Sequence, residues 1–154
     1  MASRNVLELL SLLFAGLLAG EELVVRYGVR DAITTLDDAH HIALRQALIY
    51  RLRVLVPALF VPTLALATTT LFLGGSSLER GARGVGVAAL VVWLLLTVFG
   101  TIPINEAAVA WEPGTPPSDW RAQIDRWERL NTVRSWSAFV AFVALLSGAG
   151  LRLG

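Results

Sequence analysis

The sequence predicts an all-α integral membrane protein, a single four-helix up-down-up-down bundle over residues 1–154, on three observations. The first is composition: 55% of the residues are hydrophobic and only 16% charged, far from the soluble average and toward the membrane class. The second is pattern. Apolar stretches recur at about residues 5–27, 53–74, 85–104 and 131–151, each close to the ~20 residues a helix needs to cross a ~30 Å hydrocarbon core. The third is the alternation of connections. A long polar helical connection follows span one, a short turn follows span two, and a second long polar connection follows span three, which sets successive spans antiparallel.

The first span is the most interrupted by charge. Only residues 9–20 are uncharged, and at about 1.5 Å per residue they cover roughly 18 Å of the core. With Glu8 at one interface, Glu21 and Glu22 lie about 20 Å further along and still at membrane depth, where an isolated carboxylate is costly. Both are expected to face the bundle interior. Arg26 follows Glu22 by one turn, in the favourable order for an i,i+4 pair; a purely structural ion pair at a helix end gives the same pattern. Gly16 and Gly20 form a GxxxG, which permits close helix contact and also arises by chance. Arg4 and the apolar run behind it have the outline of a secretory signal, but Glu8 inside that run argues against one.

The connection after span one holds Asp31, Asp37, Asp38, His40, His41, Arg45 and Gln46. From Leu36 onward the periodicity is helical, so this segment lies along the membrane or runs directly into span two. Asp37 and Asp38 precede His41 by four and three residues, so either carboxylate can orient that imidazole, which makes His41 a candidate general base; the plain alternative is a solvated surface histidine. Span two carries Pro57 and Pro62, with Arg51 and Arg53 at its mouth. Gly74, Gly75, Ser76 and Ser77 read as a turn, and Glu79, Arg80 and Arg83 as a short polar loop.

Residues 100–134 are the expected functional end. Gly100 and Pro103 predict a kink, after which Asn105 and Trp111 hang from the end of the third span. Proline and glycine at 113–117 break the chain, and Thr115 or Ser118 can cap the next helix. Trp120, Ile124, Trp127, Asn131, Arg134 and Ala138 recur at spacings of three and four and so share one face of it. The tryptophans alone read as an interfacial aromatic belt with a snorkelling arginine. Asn131 and Arg134 read as inward-facing.

Several function classes fall away. A net charge near +1 with no basic run gives no case for nucleic acid. The absence of cysteine removes disulfides, thiolate metal sites and cysteine nucleophiles. GARGVG has the wrong glycine order for a dinucleotide site and no strand before it. No cofactor is expected; the alternative is a metal ion near Glu21, Glu22, His40 and His41, although adjacent histidines diverge by about 100° on a helix and no Glu-x-x-His repeat is present. Arg26, Arg30, Arg45, Arg51, Arg53, Arg121, Arg126, Arg129 and Arg134 lie on the functional end, against Arg4, Arg80, Arg83 and Arg152 on the other. The positive-inside rule then puts the functional end in the cytoplasm.

Through Pro57, the run Thr101-Ile102-Pro103-Ile104-Asn105, Trp111, Trp127, Asn131 and Arg134, the chain resembles the anthrone oxygenase-like family of small four-helix membrane proteins, much of which is grouped only as a domain of unknown function. The resemblance implies oxidation of activated polycyclic phenols by molecular oxygen without a tightly held metal. In physical form, a flat hydrophobic molecule enters from the bilayer, stacks on Trp127 or Trp111 and loses a proton to His41 or Glu22. Arg134, Arg53 and Asn105 are then expected to stabilise the resulting phenolate. The expected catalytic set is Glu22, His41, Asn105 and Arg134, and the expected substrate-binding set is Arg53, Trp111, Trp127 and Asn131. The competing expectation is a non-catalytic membrane subunit or a small-molecule binding or transport module, whose GxxxG helix and arginine-rich face contact a second copy or a membrane partner protein.

Overall fold

The computed structural model describes residues 2–153, with side chains from 3 to 151. Helix α1 (Ala2–Leu23) widens into a π-helical turn at Val24–Val29 and continues as the short α2 (Arg30–Thr34). Asp37 then starts α3 (Asp38–Phe72) by accepting a 3.0 Å hydrogen bond from the His40 backbone N–H. That bond holds the exposed Asp37 carboxyl below the usual carboxylate range. Helix α4 (Ser77–Leu96) opens with a capping box: the Ser76 hydroxyl accepts from the Glu79 N–H and the Glu79 carboxylate accepts from the Ser76 N–H, both at 3.2 Å. It passes through a second π-helical turn, Thr97–Thr101, into α5 (Ile102–Val109), and α6 (Trp120–Leu153) completes the chain. Among the described residues there is no strand.

Three of these helical rods, Asp38–Phe72, Ser77–Val109 and Trp120–Leu151, are long and apolar enough to cross a membrane. The chain is a membrane protein. The first expected span does form a helix, α1, but it is not among these three. Large apolar side chains face outward, among them Leu13, Val61, Leu95, Phe99 and Val140, as a lipid environment favours. The interior mixes alanines with a few bulky groups: Ala15, Leu18, Phe60, Ala67, Leu90, Trp93, Ala138, Ala141 and Leu145. Small residues let the rods approach. A Cβ on Gly86 would lie 2.9 Å from Leu145 Cγ, so α4 and α6 are in close contact there. Gly16 of the GxxxG meets Phe142 of α6, which makes it a contact within the chain. Helix α4 packs most extensively on α6 and α1 packs on α3 and α6, while the seam between α3 and α4 is the slightest.

Two expectations from sequence are corrected here. Glu79 and Arg83 are not loop residues: the capping box begins α4 before them and turns Arg83 inward, where it is 2% exposed. Its Nη2 lies 3.0 Å from Glu8 Oε1 and 3.2 Å from Glu79 Oε2, and its Nη1 donates to the carbonyls of Thr70 and Gly74. Arg26 does not pair with Glu22. It lies within the π-helical turn, where the i→i+5 bonding adds residues to the turn and so shifts the i,i+4 register, and it donates to the Thr132 hydroxyl of α6. Arg152, counted on the far end, lies outside the described side chains.

Candidate functional site

The face of α6 predicted from its periodicity is the face that is buried. Trp120, Ile124, Trp127, Asn131, Arg134 and Ala138 are all inward, so Trp120 and Trp127 do not form an interfacial belt. Trp111 is buried as well, and only Trp136, off that stripe, is exposed among the α6 tryptophans. The physical reason is competition for the same aromatic surface: these rings have cations and other rings to pack against inside. Arg45 lies 4.7 Å and Arg134 5.9 Å from the Trp127 ring centroid, and Trp111 meets Trp120 edge-on at 6.5 Å.

Glu22 reaches this face from α1 and is 0% exposed. Its Oε1 accepts from Trp93 Nε1 at 2.9 Å and lies 3.2 Å from Arg134 Nη2, while its Oε2 accepts from the Ser135 hydroxyl at 3.0 Å. A carboxylate held by two neutral donors and one cation is fixed in place. Arg134 also reaches Thr101 through Nη1 at 3.4 Å and stacks over Trp93 at 5.3 Å. Its Nε has no partner among the described residues. A similar unit lies nearby on α3 and α6: Arg45 Nη2 is 3.2 Å from Glu128 Oε1, Arg30 Nε is 3.2 Å from Glu128 Oε2, and Arg45 Nε is likewise buried without a partner.

Both arginines line a cavity of about 840 Å³ bounded by residues of α3, both π-helical turns, α5 and α6. That volume is in the range of small-molecule sites. Its wall is mostly apolar, with Phe60 and Trp93 stacked at 4.3 Å and Trp127 beside them. Val61, Val98 and Ile102, which are exposed on the outer surface, also line it, so it opens laterally through the slight seam between α3 and α4. Sequence alone gave no sign of that opening. It follows from how two rods diverge.

Of the predicted site residues, Asn105, Arg134, Arg53 and Trp127 meet on the cavity wall. Arg53 is at an exposed position with its guanidinium 4.9 Å above the Tyr50 ring. Glu22 stands directly behind Arg134 and Trp93 and is not itself on the wall. Trp111 packs with Ile42, Ala108, Trp120 and Ile124 instead. Asn131 is 0% exposed, off the wall, and both amide atoms lack partners among the described residues. His41 packs edge-on against Trp120 at 5.3 Å, away from the cavity, and the carboxylate of Asp37 bonds His40 Nδ1 at 2.7 Å rather than His41. Glu21, Glu22, His40 and His41 do not converge: among the described residues no three histidine or acidic side chains gather as a metal site.

Sequence reasoning missed Trp93, Thr101, Ser135, Arg45, Glu128 and Glu106. Glu106 lies on the wall and its carboxylate makes no ion pair or hydrogen bond among the described residues. Trp93, a lone indole within an uncharged span, and Ser135 beside Arg134 were the available signals, because an N–H or hydroxyl in lipid must find an acceptor.

Set beside known families, residues 49–144, more than half of the chain, match the family described as Anthrone oxygenase. Comparison with curated proteins and with solved structures finds no match.

Proposed function

This chain belongs to the anthrone oxygenase family, and from that premise we propose that it is a membrane-embedded oxidoreductase acting on a flat, hydrophobic, phenolic molecule. The observation that carries the reading is the pair Arg45 and Arg134: each is fixed by a carboxylate, borders Trp127, lines the cavity, and keeps a buried Nε–H without an acceptor among the described residues. An unsatisfied, desolvated cationic donor is poised for an oxyanion.

The substrate slides in from the bilayer through the seam between α3 and α4 and lies against Phe60, Trp93 and Trp127. Arg134 receives its phenolic or carbonyl oxygen, and Asn105 supplies an amide beside it. Glu22 acts through Arg134, which it orients. The proton goes to Glu106, an unpaired carboxylate on the cavity wall at an exposed position from which water can take it up. The carbanion-like form of the anion then reduces molecular oxygen. In balance, a methylene between two aryl groups becomes a ketone: one atom of O₂ enters the carbonyl, and the other leaves as water with the two displaced hydrogens. No cofactor is required for that stoichiometry.

The same reading takes the rods as an up-down-up-down bundle. Glu8, early in α1, meets Arg83, early in α4, while Glu22, late in α1, meets Arg134, just before the middle of α6. The segments between the expected spans, near 28–52 and 105–130, are taken as its polar connections, and the arginine excess at the cavity end supports a cytoplasmic position for that end.

The test uses anthrone as probe substrate and oxygen uptake as readout, with the protein in nanodiscs. Arg134→Lys keeps a cation beside Glu22 but removes the planar fork and its Nε–H. Turnover is expected to fall at least about tenfold with helical circular dichroism unchanged. Wild-type turnover in that variant excludes the role given to Arg134. Binding of anthrone without oxygen uptake by the wild-type protein would instead assign a small-molecule binding or transport module, which the same cavity supports.

A further inference from the structure

The geometry points to a phospholipid site in the seam between α3 and α4: an acyl chain lies in the lateral opening, and the phosphate of an acidic headgroup rests on Arg53. The inference goes beyond the oxidation proposed above and does not depend on it. It needs only the opening and a bilayer outside it.

The seam has the polarity of an amphiphile. Along α3, Arg53, Pro57 and Val61 recur at one-turn intervals, and all three are exposed and line the cavity. One stripe therefore runs from a cation to apolar surface about 12 Å deeper in the span. Across the seam, Ile102 of α5 and Val98 of the second π-helical turn are 40% and 42% exposed and line the same space. A slot walled by apolar atoms and open to hydrocarbon favours a chain over water, which finds no hydrogen-bond partners there.

The outer end of the slot supplies the charge. Arg30, Arg45, Arg53 and Arg134 line the cavity against two carboxylates, Glu106 and Glu128. Glu128 is taken by Arg30 and Arg45, and Glu22 holds Arg134 from behind. Arg53 has no ion pair or hydrogen bond among the described residues, Glu106 included. Its guanidinium lies 4.9 Å over the ring of the exposed Tyr50, a stack that holds the cation at the rim, at the level of the bilayer's phosphates. An arginine grips a phosphate through two N–H bonds at once. In a zwitterionic lipid the phosphate is offset by the lipid's own ammonium, so Arg53 selects an acidic headgroup such as that of phosphatidylglycerol.

The experiment reads tryptophan emission in vesicles, with bromine on the acyl chains of one lipid as a contact quencher. Of the five tryptophans only Trp136 is exposed. Trp136→Phe thus removes the ring that surrounding lipid quenches, while Trp93 and Trp127 remain on the cavity wall. In phosphatidylcholine vesicles, brominated phosphatidylglycerol added as a guest is expected to quench the Trp136→Phe protein. Half-quenching should need a share about fivefold lower than brominated phosphatidylcholine needs. Arg53→Gln in that background should bring the two shares within about twofold, and Arg53→Lys should keep them apart. Arg53 is exposed and unpaired, so neither change endangers the fold. An absence of quenching in Trp136→Phe overturns the acyl-chain site. Equal quenching by the two lipids shows adventitious filling of the slot and overturns the headgroup assignment, as does a preference that survives Arg53→Gln or is lost in Arg53→Lys.

Discussion

The two ends of the bundle each bury arginine and glutamate, and they use them differently. At the Arg83 end, the guanidinium is shared among two carboxylates and two backbone carbonyls, Arg4 adds a further cation for Glu8 and Glu79, and the void beside it is about 10 Å³, the room of a single water. At the Arg134 end, two guanidiniums each retain an unmatched N–H beside a cavity of about 840 Å³. Charge that is mutually saturated closes a helix end. Charge that is fixed on one side and unmatched on the other is the feature on which the proposed ligand site rests. Burial of an ion pair therefore does not distinguish structure from function; the donor left over does.

The largest test of this contrast removes the cation at each end. Arg134→Met leaves the fully buried Glu22 with no cation and is expected to cost about 3–5 kcal/mol in chemical unfolding of the reconstituted protein. Adding Glu22→Gln should recover much of that loss. Arg83→Met should cost less, because Arg4 still faces both Glu8 and Glu79, and it should leave probe binding unchanged. A larger stability loss at Arg83 than at Arg134, or a binding loss at Arg83, breaks the comparison.

A smaller effect is expected at the contact between α4 and α6. Gly86→Ala puts a methyl 2.9 Å from Leu145 Cγ and 3.3 Å from the Ala141 carbonyl, and should cost about 1–3 kcal/mol by overpacking. At the cavity end, Gly100→Ala meets only the tip of Leu130, at 3.0 Å, and a side-chain tip can turn aside. Thermal unfolding should therefore separate the two variants, with Gly86→Ala the lower. The smallest effect is at Asn131, whose amide is buried with both atoms unpartnered. Asn131→Leu keeps the volume, removes the desolvated amide and should stabilise the protein by about 1 kcal/mol. A loss of stability would show that the amide has a partner, such as an ordered water, in the membrane-embedded protein.

Much of the site's frame was legible in the sequence. The stripe from Trp120 to Ala138 is inward as its spacing predicts, and Glu22 is buried as its depth in an apolar run predicts. Pairing was less legible. Glu22 seemed matched to Arg26, four residues on, and the structure gives it Arg134, more than a hundred residues away, together with Trp93 and Ser135. The tryptophans misled for a related reason: an aromatic belt and a buried aromatic face have the same composition, and only the neighbours on other rods tell them apart. Arg83 was read as loop because polar residues after a glycine turn usually are, whereas Ser76 and Glu79 cap a helix that carries it inward.

The sequence by itself determined that this chain is helical and membrane-borne, which face of α6 turns inward, and which family it joins. Each of these is carried by local periodicity, by composition, or by residues compared one by one. The tertiary structure alone decided which arginine each carboxylate meets, that α3 and α4 part to leave a cavity, and that Arg45 joins Arg134 beside Trp127. Those outcomes depend on distances between rods far apart in the chain, and a helical repeat of 3.6 residues fixes the direction of a side chain without fixing what it meets.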